Sequence, residues 1–470
     1  MNNKIDRRQF LKTTVLGTSI LLTGGCFETA KKHSAKKPNI IFIMADDMGY
    51  GDLGCYGQRK IRTPNIDRLA REGMRFSQCY AGSPVCSPSR SVLMTGLHTG
   101  HTRVRGNMCK AGGTVGYKRG RQVRRMNLTD ADRTVGHVLG EAGYRTGIIG
   151  KWHLGGYDEK AGPLDRGFHE FYGWLTRTEE TINPTYWPAK RCRNRELVDI
   201  TANQDGKRGY YHTDMCTDEA VEFLKNNSRR PFFLYLAYVN PHSPLDAPEL
   251  VPYTDKSWPE PMKTYAAMIH RLDQSIGRVM QTLSQLHIDD KTIVFFCSDN
   301  GPRSEGSKTL TQVVEFFNSN GPLQGYKRDM YEGGIRVPMI VRWPGKIPAQ
   351  KTSDAPWYFA DFLPTAANLA QIAPPEGIDG ISILPTLLAR TQDTSDRFLY
   401  WEFFERGFQQ AVRWRNYKAI RAKQGQPLLL FDLSKDIGET RNVAAEHPAV
   451  VARIEKYLKS ARTESANWPT

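Results

Sequence analysis

Five apolar runs punctuate this chain, at residues 39–44, 145–150, 232–239, 292–297 and 337–341. They are rich in β-branched and aromatic residues, and most are flanked by Gly, Pro, Asp or Asn. Short runs of this kind, without polar alternation, predict strands buried on both faces of a sheet. Between and after them lie stretches with apolar residues at helical spacing: 64–71, 134–142, 214–224, 262–286 and 357–372. The first carries Thr63 as its expected cap and Pro64 at the first helical position. The alternation predicts an α/β fold, with a large mixed, mostly parallel sheet sandwiched by helices.

A Pro/Gly-rich passage, Ala373-Pro374-Pro375-Glu376-Gly377, interrupts this pattern. Beyond it, runs at 398–401, 411–414, 417–420 and 428–431 predict a smaller antiparallel sheet, closed by a helix over 448–458. The expected organisation is a leader and linker over 1–36, a catalytic domain over 37–375 and a C-terminal α+β subdomain over 376–470.

Composition narrows the function. The chain has 470 residues, 39% hydrophobic and 10% aromatic, enough for a substantial core. A mean hydropathy of −0.52 excludes a polytopic membrane protein. The formal net charge of +16 favours anionic partners. No nucleic-acid motif is present, so a polyanionic substrate is preferred over DNA or RNA.

The basic terminus has the order of an export signal. Asp6-Arg7-Arg8-Gln9-Phe10-Leu11-Lys12 precedes an apolar run over 15–22 that is too short to span a bilayer. This is the pattern read by the twin-arginine export machinery. Thr23-Gly24-Gly25-Cys26 resembles a lipoprotein processing site, making Cys26 a candidate lipid anchor. The expected location is periplasmic or cell-surface. The eight cysteines form no Cys-x-x-Cys pair and no zinc-like spacing. Cys297 falls in an apolar run and reads as core; Cys55, Cys79, Cys109, Cys192 and Cys216 have no assigned role.

The chemistry gathers around Cys86-Ser87-Pro88-Ser89-Arg90, continuing to Met94-Thr95-Gly96. A helix starting here offers free N–H groups and a positive dipole end to an anion. Arg90 adds a fixed positive fork. Asp46-Asp47 follows the first strand and Asp299-Asn300 follows the fourth. Three carboxylates and an amide oxygen form a hard-oxygen set suited to Ca²⁺ or Mg²⁺. Lys151 and His153 flank Trp152 after the second strand and would point the same way in extended geometry. His242 closes the third strand, and Lys327 lies in a basic loop. Taken singly, each of these four has an ordinary structural reading.

Residues 103–125 hold Arg103, Arg105, Lys110, Lys118, Arg119, Arg121, Arg124 and Arg125 without an acid. They read either as a solvated loop or as a rim for further anionic groups of a polymer. Trp174, Tyr186 and Trp187, with Arg191, Arg193 and Arg195, are candidates for a sugar-stacking wall.

The motif Cys-x-Pro-Ser-Arg-x-x-x-(Leu/Met)-Thr-Gly, matched at 86–96, resembles the signature of formylglycine-dependent sulfatases. The resemblance runs from about residue 38 to the end. It includes Gly150-Lys151-Trp152-His153, Thr63-Pro64-Asn65-Ile66-Asp67, Asp165-Arg166-Gly167-Phe168 and Asp379-Gly380-Ile381-Ser382. It implies an alkaline phosphatase-like fold. It also implies that a formylglycine-generating enzyme oxidises Cys86 to formylglycine (3-oxoalanine). By the same resemblance, Asp46, Asp47, Asp299, Asn300 and modified Cys86 hold a divalent cation, Ca²⁺ or alternatively Mg²⁺. Arg90 and Lys151 hold the formylglycine, while Lys327, Lys151 and His242 contact sulfate. His153 deprotonates the hydrated aldehyde, and His242 protonates the leaving oxygen. The expected activity is sulfate release from a sulfated carbohydrate or aryl sulfate. Two alternatives stay open: a phosphodiester or phosphonate ester hydrolase of the same superfamily, and a non-catalytic lipoprotein that binds sulfated glycans.

Overall fold

In the computed structural model, residues 37–118, 121–158, 160–175 and 185–470 are described. The twin-arginine segment, Cys26 and Arg119 lie outside the described residues. In chain order the strands are β1 (Asn39–Asp46), β2 (Met74–Tyr80), β3 (Thr114–Lys118), β4 (Arg121–Arg125), β5 (Arg145–Lys151) and β6 (Glu170–Trp174). There follow β7 (Lys190–Arg193), β8 (Glu196–Asp199), β9 (Phe232–Pro241), β10 (Thr292–Ser298), β11 (Arg336–Arg342), β12 (Lys351–Ser353) and β13 (Trp357–Tyr358). The last four are β14 (Phe398–Phe403), β15 (Gln409–Trp414), β16 (Tyr417–Arg421) and β17 (Leu429–Asp432).

The main sheet runs β12-β2-β11-β10-β1-β9-β5-β6-β7-β8, with β13 beside β2. The central strands β10, β1, β9, β5 and β6 are parallel, and the antiparallel pairings lie toward the edges. All eight residues of β1 are buried. Ile40, Phe42 and Met44 pack into the core on one face, and Ile41, Ile43 and Ala45 into the core on the other. Burial on both faces is why the strand's sequence lacks polar alternation. The five expected strands are all present. Strands β2, β6, β7 and β8 are additional, because their sequences mix polar and apolar positions.

One face is covered by the signature helix Cys86–Thr95 and by helices Val135–Glu141 and Phe362–Leu369. Helices Pro64–Arg71, His212–Asn227 and Glu260–Gln285 cover the other. The helix expected over 357–372 is divided. Trp357–Tyr358 pairs with β2, a 3-10 turn covers Phe359–Asp361, and only Phe362–Leu369 is α-helical. The Asp361 carboxylate fixes the break by accepting from Tyr358 N at 2.9 Å and Ile381 N at 2.9 Å. Thr63 stands at the cap position as expected, but its side chain does not cap the helix. Its hydroxyl accepts from Gly54 N, and Asp273 instead accepts the helix's free Asn65 and Ile66 N–H groups at 2.9 and 2.8 Å.

The predicted small sheet is present as β14-β15-β16-β17, fully antiparallel. Tyr400, Val412, Ala419 and Leu430 pack with Ile454 and Leu458 of the helix Pro448–Leu458. Among the described residues, no helix is long and apolar enough to cross a membrane. Cys55, Cys79, Cys86, Cys109, Cys192, Cys216 and Cys297 are free thiols, and Cys297 is fully buried as expected of core.

Candidate active site

The carboxyl ends of four neighbouring parallel strands converge on the signature helix. Asp46 ends β1 and Asp47 follows it, Asp299 and Asn300 follow β10, Lys151 ends β5, and His242 follows β9. Open α/β sheets place ligand sites at such ends, where the strands stop and the loops diverge. Cys86 is the first residue of the helix Cys86–Thr95, all of whose residues are buried. The sheet and this helix together bring in every residue nominated from sequence except Lys327, which a loop supplies.

Arg90 sits at the centre, with no exposed surface. Its Nε and Nη2 donate to Asp299 Oδ2 at 3.1 and 2.7 Å, and Nη2 lies 3.6 Å from Asp46 Oδ2. Nη1 donates to the Lys151 carbonyl at 3.0 Å and to Tyr235 Oη at 3.1 Å. Lys151 Nζ donates to Asp46 Oδ2 at 2.5 Å. Lys327 Nζ donates to Asp47 Oδ1, which also accepts from Asn300 Nδ2 at 2.8 Å. His242 Nε2 is 3.6 Å from Asp47 Oδ2. Ser87 Oγ donates to the His153 carbonyl at 2.8 Å, and Ser89 Oγ to the Asp299 carbonyl at 2.6 Å. These bonds lock the helix start against the loops after β5 and β10.

Burial sets the proton inventory. It opposes ionisation of Asp46, yet Lys151 and Arg90 beside it hold that carboxyl well below the usual range. Burial, reinforced by the neighbouring Asp46, pushes Asp299 up to about 6. Burial works against the Lys327 charge, but Asp47 more than restores it and raises the ammonium above its ordinary value. Burial takes His242 down to about 4 despite Asp47 and Asp46. Burial and then Lys151 take His153 well below the ordinary imidazole value. Burial thus favours the neutral form of both imidazoles, while Asp47 favours the charged form of Lys327.

The donor set fits a hard cation. Asp46 Oδ1, Asp47 Oδ2 and Asn300 Oδ1 are buried and have no hydrogen-bond partner. Buried acceptors are rarely left so, and these three have the chemistry to accept a cation. Ligand atoms of Asp46, Asp299 and Cys86 lie within 4.8 Å of one another, as do those of Asp46, Asp47 and His242. Oxygen donors of this kind suit Ca²⁺ or Mg²⁺.

Two sequence expectations are corrected. Lys151 and His153 do not share a side through strand alternation, since His153 has a left-handed backbone at φ 64°. The sugar-stacking wall is not formed. Trp174, Tyr186 and Trp187 are buried in a small core with Tyr211, Val239 and Met268. Arg191 is fully buried, donating to the Thr185 and Lys190 carbonyls, while Arg193 pairs with Glu219 and Arg195 with Asp165. Trp174 ends β6, whereas Tyr186 and Trp187 precede β7 in a loop, and Val239 of β9 and Met268 of the helix Glu260–Gln285 help to cover them. Trp174 does serve the site, its ring 5.4 Å from Lys151 Nζ and 5.9 Å from the His153 ring. The basic stretch is partly consumed as well. Arg105 is buried against Glu402 at 2.7 Å, and Arg103 pairs with Asp132. Lys110 and Arg124 remain exposed near the β3–β4 hairpin. Sequence reasoning missed Tyr235, read as strand core, and Asn107, hidden in the basic stretch.

Known proteins match this architecture. The sulfatase family model matches residues 38–372, and that of the N-sulphoglucosamine sulphohydrolase C-terminal region matches residues 325–464. The N-acetylgalactosamine-6-O-sulfatase of Bacteroides thetaiotaomicron is 30% identical over 94% of this chain and 97% of its own. Human steryl-sulfatase is 30% identical over 92% of this chain and 88% of its own. The crystal structure of Ps i-CgsB with k-i-k-neocarrahexaose superposes with a TM-score of 0.78 at 30% identity, covering 93% of this chain and 95% of that one. Fold, family match and near full-length similarity agree, and the chain belongs to the sulfatases of the alkaline phosphatase superfamily, as a sulfuric ester hydrolase.

Proposed function

We propose that this sulfatase is exported and releases sulfate from a sulfated carbohydrate, using Cys86 oxidised to formylglycine and a divalent cation, Ca²⁺ in preference to Mg²⁺. The observation that carries this reading is the trio of unpartnered buried oxygens beside Cys86, ringed by Arg90, Lys151 and Lys327. The relatives named for N-acetylgalactosamine-6-O-sulfate and the structure bound to neocarrahexaose support a sugar substrate. Lys110 and Arg124, exposed near the hairpin, support an anionic polymer.

Asp46, Asp47, Asp299 and Asn300 would hold the cation, which supplies positive charge against the sulfuryl oxygens. Formylglycine, once water has added to its aldehyde, would supply two hydroxyls on one carbon, one to attack sulfur and one whose deprotonation would expel sulfate and restore the aldehyde. Lys327 and Lys151 bind the sulfate oxygens and oppose the charge that builds on them. Arg90, fixed by five hydrogen-bond and ion-pair contacts, keeps the head of the signature helix in register with Asp299 and Asp46. His153 is neutral and takes up a proton at a ring nitrogen. His242, a quarter exposed, takes a proton from solvent water as the anionic ester adds to the field of Asp47, then donates it to the leaving oxygen.

Cys86 is only 3% exposed in the folded chain. The modifying enzyme therefore acts before the helix packs, and with twin-arginine export of folded protein that places oxidation in the cytoplasm. A cytosolic precursor carrying only thiol, beside exported aldehyde, would contradict this order.

The test joins mass, metal and turnover. The Cys86 peptide of active enzyme should show the thiol-to-aldehyde mass loss, and metal analysis should find stoichiometric Ca²⁺. Aryl sulfate should be cleaved in preference to aryl phosphate diesters, and Cys86→Ala should fold yet release no sulfate. Preference for the phosphate esters, or binding of sulfated glycan without any release, would defeat the proposal.

A further inference from the structure

Asn107 and Glu405 form a contact chain that the roles assigned above do not use. Asn107 Oδ1 accepts from Ser87 N at 3.0 Å and faces Cys86 Sγ at 3.7 Å. Asn107 N donates to Glu405 Oε1 at 2.6 Å. Glu405 lies two residues beyond the end of β14 of the C-terminal sheet, and its side chain is only 4% exposed. The other carboxylate oxygen, Oε2, accepts from Arg328 Nη1. Arg328 is the residue after Lys327, and its Nε donates to Glu305. Its own N–H donates to the Pro84 carbonyl at 2.9 Å, two residues before Cys86. Arg328 has φ 78°, a left-handed backbone that a non-glycine residue adopts only when its surroundings hold it there. One carboxylate just beyond β14 thus holds both the Asn107 backbone and the Arg328 side chain.

We propose that Asn107 is a further catalytic residue, the hydrogen-bond acceptor that orients the polar hydrogen on the Cys86 side chain, and that Glu405 is its positioning residue. An amide oxygen can only accept, so a hydrogen on the sulfur of the thiol, or on a hydroxyl of the hydrated aldehyde, is directed toward it. Glu405 fixes the Asn107 backbone with one oxygen and the Lys327–Arg328 turn with the other. The nucleophile's orientation and the ammonium's position then depend on one side chain. The inference rests on the sulfatase reading and adds residues that the sequence motifs do not mark.

A double-mutant cycle tests it in the full-length matured enzyme, with Asn107→Leu, Glu405→Ala, both together, and Glu405→Gln. Cys86 conversion is checked by intact mass in each, and turnover is read with an aryl sulfate. Asn107→Leu should lower kcat about 100-fold, with KM changed less than about 3-fold. Glu405→Ala should lower kcat about 10-fold, and the double variant should lose clearly less than the product of the two single losses, because Glu405 acts in part through Asn107. Glu405→Gln, which keeps the acceptor for Asn107 N, should recover most of the loss. Full conversion with kcat of Asn107→Leu within about 3-fold of wild type, or multiplicative losses in the double variant, would overturn the proposal. Amide hydrogen exchange over residues 86–94 is an independent readout. Faster exchange at the helix start in Glu405→Ala supports the positioning role, and unchanged exchange overturns it. Wild-type protein without sulfate release would defeat the sulfatase reading itself, while the exchange comparison still decides whether Glu405 positions Asn107.

Discussion

Arg90 shows how much one side chain settles at the residue scale. Asp299 and Asp46 are buried carboxylates whose charge it balances. Removing one partner of a buried ion pair leaves an uncompensated charge, so Arg90→Ala should destabilise the fold by about 3–5 kcal/mol in denaturant titration. Arg90→Lys should keep the charge, lose the fork and still cost at least about 10-fold in turnover. The unpartnered oxygens of Asp46, Asp47 and Asn300 make a second residue-scale prediction. Chelation should lower the melting temperature, and Ca²⁺ should restore it more fully than Mg²⁺; a melting curve indifferent to both would contradict the metal assignment. The cluster His98, His101 and Asp379 has ligand atoms equally close together but reads as a tether. His98 Nδ1 accepts from Gly100 N at 3.1 Å, which puts the ring proton on Nε2, the atom facing Asp379. A ring nitrogen carrying a proton cannot bind a metal.

At the element scale, helix ends matter more than helix faces. The signature helix uses its first turn for chemistry and buries everything else. Helix Pro64–Arg71 depends on Asp273, a residue of the helix Glu260–Gln285, for its first N–H groups. Burial pushes Asp273 from 3.8 up to about 6, despite those hydrogen bonds. The folded chain therefore binds more protons than the unfolded chain between these values. Stability from this group is full below the unfolded value and falls as pH rises through about 6. Asp273→Asn keeps an acceptor and removes the titration. The variant should gain about 2 kcal/mol on wild type between pH 4 and pH 7, measured by urea unfolding.

At the scale of the whole molecule, the small sheet does more than close the chain. Lys418 of β16 is fully buried, 3.1 Å from Glu332 and 2.9 Å from Glu439. Glu332 opens the short helix that follows the Lys327 loop and also pairs with Arg336 at 3.0 Å. Lys418→Met should therefore unfold the protein more easily by about 3 kcal/mol or more, and calorimetry would show it. A loss below about 1 kcal/mol would mean that the small sheet is joined to the rest chiefly by apolar packing. A last prediction concerns the hairpin. Charge reversal at Arg124 should weaken turnover of a sulfated polymer more than that of an aryl sulfate, and equal effects would remove the rim.

The sequence by itself determined the central strands, the small sheet and the nominated site residues. Strands buried on both faces must be written as apolar runs, and the chemistry of this family is confined to a few residue types at strand ends. Tertiary structure decided the rest. Edge strands such as β7 and β8 are half exposed and leave no clean pattern. Trp174, Tyr186 and Trp187 became core because neighbouring elements covered them, something no local window contains. Asn107 and Glu405 are 298 positions apart in sequence and meet in one hydrogen bond. A contact of that kind is made by folding alone, because the chain between them sets where each arrives and neither carries the other's position in its local sequence.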